Sequence, residues 1–410
     1  MSSETTGRRR FLQAAGAFSI LAPRVVRGSA ANSAVRVGLL GCGHRGSADA
    51  GAIERNTEAR VVALADLFQD QLDRARTRFP AASLTFVGPR AFEQMAESKD
   101  IDAMVVASPP YFHPEHLAAA VKGGKHVYCE KPVAVDVAGA KRVLETGKRA
   151  EGRISLDVGF QIRSAPPFVE LVKRIHGGAL GDIHSGAAYY YCPLPDYQQW
   201  PDAPAAQQRL RHWLQDRALS GDIIVEQNIH AIDICNWVLQ GHPLKAVGRG
   251  GKNGRGGAGE DIYSHFDVIF EYPNGVHVSF SSTQFGKGPF DVSERFFGTR
   301  GASQSPYTGT LGITGADPWT WAGSETAREG AFSASGTFSD NLAQADAEKQ
   351  KAFIGSITSG QFHNQAASGV ETALSAMVGR RAAYTGREVT WDELLHTNEH
   401  WDSGIDLHKL

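Results

Sequence analysis

Short apolar runs alternate with helix-patterned stretches along the first 160 residues. Residues 35–40, 61–65, 101–107, 126–129 and 154–160 are brief and largely apolar, as strands covered on both faces require. Between them, residues 47–55, 69–78, 113–122 and 136–152 have helical length and composition. Strand and helix repeated this way predict a doubly wound parallel α/β sheet. The second half is patterned differently. Over residues 261–272, Ile262, Phe266, Val268 and Phe270 fall on one face, and Tyr263, His265, Asp267 and Glu271 on the other. Pro273-Asn274-Gly275 then turns the chain into residues 276–282, a hairpin signal. Residues 220–237 read as one helix entering the core, packed by Ile223, Ile229, Ile232 and Trp237. Residues 345–359 and 366–384 also read as helices. Residues 301–345, rich in Gly, Ser and Thr, read as loops with short strands. No internal repeat stands out.

A chain of 410 residues fits two or three domains. Its 42% hydrophobic and 21% charged content is ordinary for a folded, soluble protein. A net charge of -2 argues against nucleic acid or an anionic membrane as partner. Cys42, Cys129, Cys192 and Cys235 are dispersed without a CxxC pair, which argues against a disulfide framework or a zinc site. Pairs such as His113/His116 and His230/Asp233 lack a third neighbouring ligand, so no metal is expected.

The N-terminus carries Arg8-Arg9-Arg10-Phe11-Leu12, a mildly apolar run to Ala22, then Gly28-Ser29-Ala30. This is the pattern of a secretory signal, and the paired arginines resemble the twin-arginine type. The run falls short of the ~20 residues needed to span a bilayer. The expected division is a signal over residues 1–30, a nucleotide-binding domain over 31–160 and a substrate and oligomerisation domain over 161–410. The expected destination is the periplasm, with no other membrane association.

Gly41-Cys42-Gly43-His44-Arg45-Gly46 follows the first strand and opens a helix. In that setting Gly41 permits a tight turn, Gly43 a close backbone approach to a pyrophosphate, and Gly46 close helix–strand packing. The start of the helix, around His44 and Arg45, offers free N–H groups to the phosphates. Asp66 ends the second strand about 20 residues on, where an acid accepts hydrogen bonds from the adenosine ribose and repels a 2′-phosphate. The cofactor predicted is NAD. An exported enzyme meets little free NAD, so the cofactor is expected to travel and stay bound.

The glycine loop, Asp66, Glu130-Lys131-Pro132 after a further strand, and Glu226 with His230 together resemble the Gfo/Idh/MocA family of oxidoreductases. The resemblance implies a Rossmann domain followed by an α/β domain with a large, open, mostly antiparallel sheet. It also implies sugar, polyol or glycoside substrates and homo-oligomers. Lys131 is then the first catalytic candidate, an ammonium able to stabilise a developing alkoxide. Glu130 matches the family's acid beside the cofactor, and Ser108-Pro109-Pro110 resembles the segment bordering the nicotinamide. Four residues apart on one predicted helix, Glu226 and His230 share a face. The histidine would take the hydroxyl proton and the acid would orient it. The family usually has Asp at the position of Glu226, and Gly at that of Asn228. Arg163 and Tyr191 are candidate substrate contacts. Two enzymatic readings follow: NAD-dependent oxidation of a sugar or polyol hydroxyl, or glycoside cleavage through a transient oxidation without net redox. The Tyr- and His-containing motif associated with the second is not evident.

Overall fold

The computed structural model describes residues 34–193, 200–252, 261–284, 290–321 and 340–410. Residues 1–30, expected to be a twin-arginine signal, lie outside the described residues. β1 (Arg36–Leu40), β2 (Arg60–Asp66), β3 (Leu84–Val87), β4 (Ala103–Val106), β5 (His126–Cys129) and β6 (Leu156–Val158) form a parallel sheet in the order β3-β2-β1-β4-β5-β6. Successive side chains of a strand point to opposite faces. On β4, Ala103 and Val105 therefore enter one apolar cluster, with Leu39, Ile53 and Tyr128. Met104 and Val106 enter the other, with Leu117, Val127 and Val143. Each such buried Val, Leu or Ile contributes roughly 1.5–3 kcal/mol. β3, at the edge, is only half-buried, so no continuous apolar run marks it in the sequence.

The helix Ala345–Ser359 returns to the helix His44–Asn56 and adds Phe353 and Ile354 to the cluster around Leu39. The far end of the chain thus completes the covering of the first sheet.

The second sheet contains β7 (Ile183–Cys192), β8 (Lys245–Gly251), β9 (His265–Glu271), β10 (His277–Gln284), β11 (Asp291–Gly298), β12 (Gly301–Gln304), β13 (Leu311–Gly315), β14 (Trp319–Trp321) and β15 (Val389–Thr390). Their order is β14-β13-β12-β11-β7-β10-β9-β8-β15. β7 and β10 run parallel, and the other pairings are antiparallel. The predicted hairpin is β9–β10, with Phe266, Val268 and Phe270 buried. The helices Ile229–Leu239 and Ala366–Thr385 pack on this sheet. Among the described residues, no helix is long and apolar enough to cross a membrane.

The single helix expected over residues 220–237 is two, Ile223–Glu226 and Ile229–Leu239. The N–H groups of Gln227 and Asn228 both donate to the Ile223 carbonyl, each at 2.9 Å, which closes the first helix. Asp222 opens it in the left-handed region (φ 72°), accepting from the Ile223 N–H at 2.7 Å. Glu226 and His230 therefore do not share one helical face.

Candidate functional site

Gly41, Asp66, Ser108 and Glu130 all sit at or just beyond the carboxyl ends of parallel strands. β1 and β4 are neighbours here, the point where strand order reverses and α/β sheets leave a crevice. Gly41 has φ +92°, and a Cβ there would stand 2.5 Å from the Ala107 backbone. At Gly46 a Cβ would meet the Gly41 carbonyl at 2.1 Å, while at Gly43 it would meet nothing within 4 Å. The loop thus packs tightly at two glycines and leaves open space at the middle one. No side chain caps the helix His44–Asn56, so its first N–H groups remain available to an anion. His44 is exposed at this start. Asp66 Oδ2 accepts from the Cys42 N–H at 2.8 Å and Oδ1 from the Phe68 N–H at 2.9 Å, pinning the turn to the end of β2. Burial raises its pKa, and those backbone bonds oppose the rise. A cavity of about 160 Å³ opens beside these groups, lined by Gly41, Gly43, Asp66, Phe68, Ser108 and Pro109 among others. These features fit a dinucleotide.

Arg45 lies in the first turn of the helix His44–Asn56, and its side chain points elsewhere. Its guanidinium turns into a buried ionic cluster instead of facing that cavity. Nε lies 3.0 Å from Glu130 Oε1, and Nη2 lies 3.0 Å from Asp49 Oδ1 and 2.9 Å from Asp346 Oδ1. Burial pushes the Asp49 carboxyl well above its usual range, against the pull of the Arg45 charge. Burial would raise Glu130 too, but the charges of Arg45 and Lys131 outweigh it and hold that carboxyl below its usual range. Glu130 is thereby an anion fixed over Gly159, where a Cβ would come within 2.5 Å of Oε1. Arg45 positions Glu130 and ties the glycine loop to the Glu-Lys-Pro loop.

His113 fastens the same loop from the other side. Its Nδ1 lies 2.7 Å from the Pro132 carbonyl oxygen and its Nε2 2.7 Å from that of Ser108. The Ser108 hydroxyl lies 2.8 Å from His116 Nδ1. Burial drives the His116 pKa down to about 3, so that ring is neutral.

Lys131 Nζ donates to Glu226 Oε1 at 2.8 Å and to the Glu226 carbonyl at 2.6 Å. His230 is 8% exposed, lies edge-on to Phe160, and its Nδ1 has no hydrogen-bond partner. Burial first, then the charges of Lys131 and Arg45, depress its pKa well below the ordinary value. The expected Glu226–His230 pair is replaced by a Lys131–Glu226 pair with a neutral imidazole nearby. The break at Gln227 and Asn228 is the cause.

The two substrate candidates, Arg163 and Tyr191, have other partners. Arg163 is committed to Asp233, with Nε at 2.7 Å and Nη2 at 2.8 Å, and Thr372 donates to the same carboxylate at 2.9 Å. It braces the helix that carries His230. Tyr191 stacks on Tyr189 at 5.1 Å, on the open face of the second sheet. The intervening Tyr190 and the following Cys192 point the other way and are buried, and Cys192 Sγ reaches Gln227 Oε1 at 3.3 Å. Alternation along β7 therefore sends Tyr191 away from the face that meets Gln227, the neighbour of Glu226. Among the described residues, no group of three or more His, Cys, Asp or Glu could hold a metal ion.

Asp346 was missed in the sequence, as were Leu210 and Arg211 along the cavity. No local motif signals any of them.

Residues 35–158 match the family model described as oxidoreductase family, NAD-binding Rossmann fold. Residues 168–304 match the GFO/IDH/MocA C-terminal domain. The chain belongs to the Gfo/Idh/MocA family. Its first sheet is an NAD-binding Rossmann fold, as the glycine loop and Asp66 indicate. Among relatives, an inositol 2-dehydrogenase of Rhizobium meliloti (strain 1021) is 26% identical over 276 residues, 65% of this chain and 74% of the relative. An inositol 2-dehydrogenase of Acidothermus cellulolyticus is 29% identical over 285 residues, 68% of this chain and 75% of the relative. A levoglucosan dehydrogenase solved with NADH and levoglucosan superposes with a TM-score of 0.68 at 20% identity, covering 87% of this chain and 99% of that one. At that identity the likeness speaks for the fold.

Proposed function

We propose that this protein is an NAD-dependent oxidoreductase of a sugar or polyol hydroxyl that keeps its cofactor tightly bound. The observation that carries the reading is the Lys131 ammonium, held by Glu226 just beyond β5, with the neutral His230 close enough to feel its charge. Bound NAD supplies a hydride acceptor for a carbinol carbon. Lys131 donates a hydrogen bond to the reacting oxygen and stabilises negative charge that develops there. His230 takes the hydroxyl proton, which its depressed pKa permits at neutral pH. Glu226 fixes the lysine, and Glu130, held by Arg45, fixes the loop from behind.

Polyol specificity is supported by the inositol dehydrogenases among the relatives. These are dehydrogenases, so the glycoside-cleaving alternative is not favoured. Export by the twin-arginine segment and assembly into a homo-oligomer belong to the same proposal. Val247, Ile269 and Phe297, all exposed on the open face of the second sheet, support the assembly.

The test is incubation of the purified protein with inositols, sugars and glycosides, following NADH absorbance and product mass together. One equivalent of bound NADH per protein is expected as the substrate loses two hydrogens, and continued turnover requires a second carbonyl compound that takes the hydride back from the bound NADH and is itself reduced to an alcohol. Aglycone release without NADH would overturn the proposal.

A further inference from the structure

The adenosine end of the Rossmann crevice is walled by residues from the second half of the chain. Leu210, Arg211 and Trp213, on and just after the helix Ala205–Arg211, line the cavity together with Asp66, Phe68 and Pro89, and Leu407 of the C-terminal turn joins them. One bidentate ion pair ties this strip to the helix Gln69–Arg78. Arg211 Nη2 lies 2.7 Å from Asp70 Oδ1, and Nη1 lies 3.1 Å from Oδ2. The guanidinium also stacks over Phe68, with its carbon 4.0 Å from the ring centroid, and 4.9 Å from that of Trp200. The side chain is 10% exposed, and its Nε is buried with no partner. A second tie runs through Arg209, whose Nε bonds Asp216 and whose Nη1 donates to the Ser403 carbonyl at 2.9 Å. This anchors the strip to the C-terminal segment that carries Leu407.

We propose that residues 205–215 are a strap over the adenosine moiety of NAD, latched by Arg211 on Asp70, and that the latch makes cofactor release slow. The proposal rests on the NAD-dependent reading above and assigns its tight binding to named residues. The apolar wall of Leu210, Trp213 and Leu407 covers an adenine ring, and Asp66 faces the ribose. For adenosine to leave, the strap must lift, and the Arg211–Asp70 pair must break. Charge-assisted bidentate bonds are among the strong ones, so the latch imposes a barrier that the glycine loop alone does not provide.

The experiment follows release of NADH from the full chain. Protein loaded with NADH and freed of excess is chased with surplus NAD, and the fluorescence of bound NADH is recorded over time. Arg211→Ala and Asp70→Asn should each speed release on the order of tenfold or more. Arg74→Ala removes the other arginine bonded to Asp70, which is half exposed and outside the cavity, and should leave the rate unchanged. Trp213→Ala should also speed release. If Arg211→Ala does not fold, Asp70→Asn breaks the same pair from the more exposed side. Equal release rates in wild type, Arg211→Ala and Asp70→Asn overturn the latch and leave the NAD-dependent reading standing. Failure of the wild type to bind NADH at all overturns both.

Discussion

Lys131 and Glu226, 95 positions apart in sequence, form a buried ion pair in which one ammonium grips both the carboxylate and the main-chain carbonyl of its partner. The loop after β5 is thereby locked to the helix that precedes His230. Lys131→Ala removes the proposed donor to the reacting oxygen but touches neither Asp66 nor the glycine loop. The rate at which bound NAD is reduced should fall about a thousandfold or more while NADH still binds, measured by single-turnover absorbance and fluorescence titration. Full activity in this variant would rule Lys131 out. Glu226→Gln keeps the carbonyl contact and loses the charge, so a smaller loss, roughly tenfold to a hundredfold, is expected in kcat.

His230 carries a pH prediction. Burial, Lys131 and Arg45 depress its pKa well below 6.5, and the neutral ring is the form that accepts a proton. Activity governed by this group should be level from about pH 6.5 upward and decline only in acid. His230→Gln should lower kcat by roughly 10²–10⁴. The imidazole signal missing from its NMR spectrum should be that of a neutral ring at pH 6.5 in the wild type. A wild-type limb centred at or above pH 7 and lost in His230→Gln would contradict this environment.

What the sequence displayed of this architecture was mostly local. β5 and the helix Gln69–Arg78 have the residue bounds that hydrophobic spacing indicates, because buried strands and one-sided helices need those spacings. The glycine loop is legible because backbone geometry at Gly41 and Gly46 excludes a side chain. The helix break at Gln227 and Asn228 leaves no such mark, since the apolar residues on either side continue the pattern. Nor does the Arg45–Asp346 pair, whose members are 301 positions apart, or the Arg211–Asp70 pair, 141 apart. Such partners are set by how the chain returns on itself, and a single sequence carries no local trace of it. Tyr191 was misplaced for a related reason. Alternation shows that neighbours on β7 face opposite ways, but not which set faces the Rossmann half.

Asp66 tests cofactor choice. Its two oxygens hold the Cys42 and Phe68 N–H groups and keep lone pairs for ribose hydroxyls. Opposed to a 2′-phosphate, the same carboxylate is repulsive and partly desolvated. The wild type should prefer NADH to NADPH by at least about a hundredfold in fluorescence titration. Asp66→Ser should narrow the gap by weakening NADH binding and easing NADPH binding. Equal wild-type affinities would show that the carboxylate does not discriminate.

Glu294 provides a prediction about stability that is independent of the chemistry. It is fully buried on β11; Oε2 accepts from Ser305 Oγ at 2.7 Å, and Oε1 has no partner. Burial raises its pKa from 4.5 to about 8, against the lowering effect of the Ser305 bond. Folded protein therefore keeps a proton that unfolded chain surrenders above pH 4.5. The group's contribution to stability is fully present below that pH, is lost as pH rises toward 8, and is constant beyond. At pH 7 the loss is about 3 kcal/mol. Glu294→Gln is permanently neutral and has nearly the same shape, so it removes this slope. Other titrating groups are common to both proteins and cancel in the difference. Urea unfolding at pH 5, 7 and 8.5 should show the variant gaining on wild type between the first two and holding a steady advantage after pH 8. A stability difference that does not change with pH would mean that Glu294 is ionised in the folded protein.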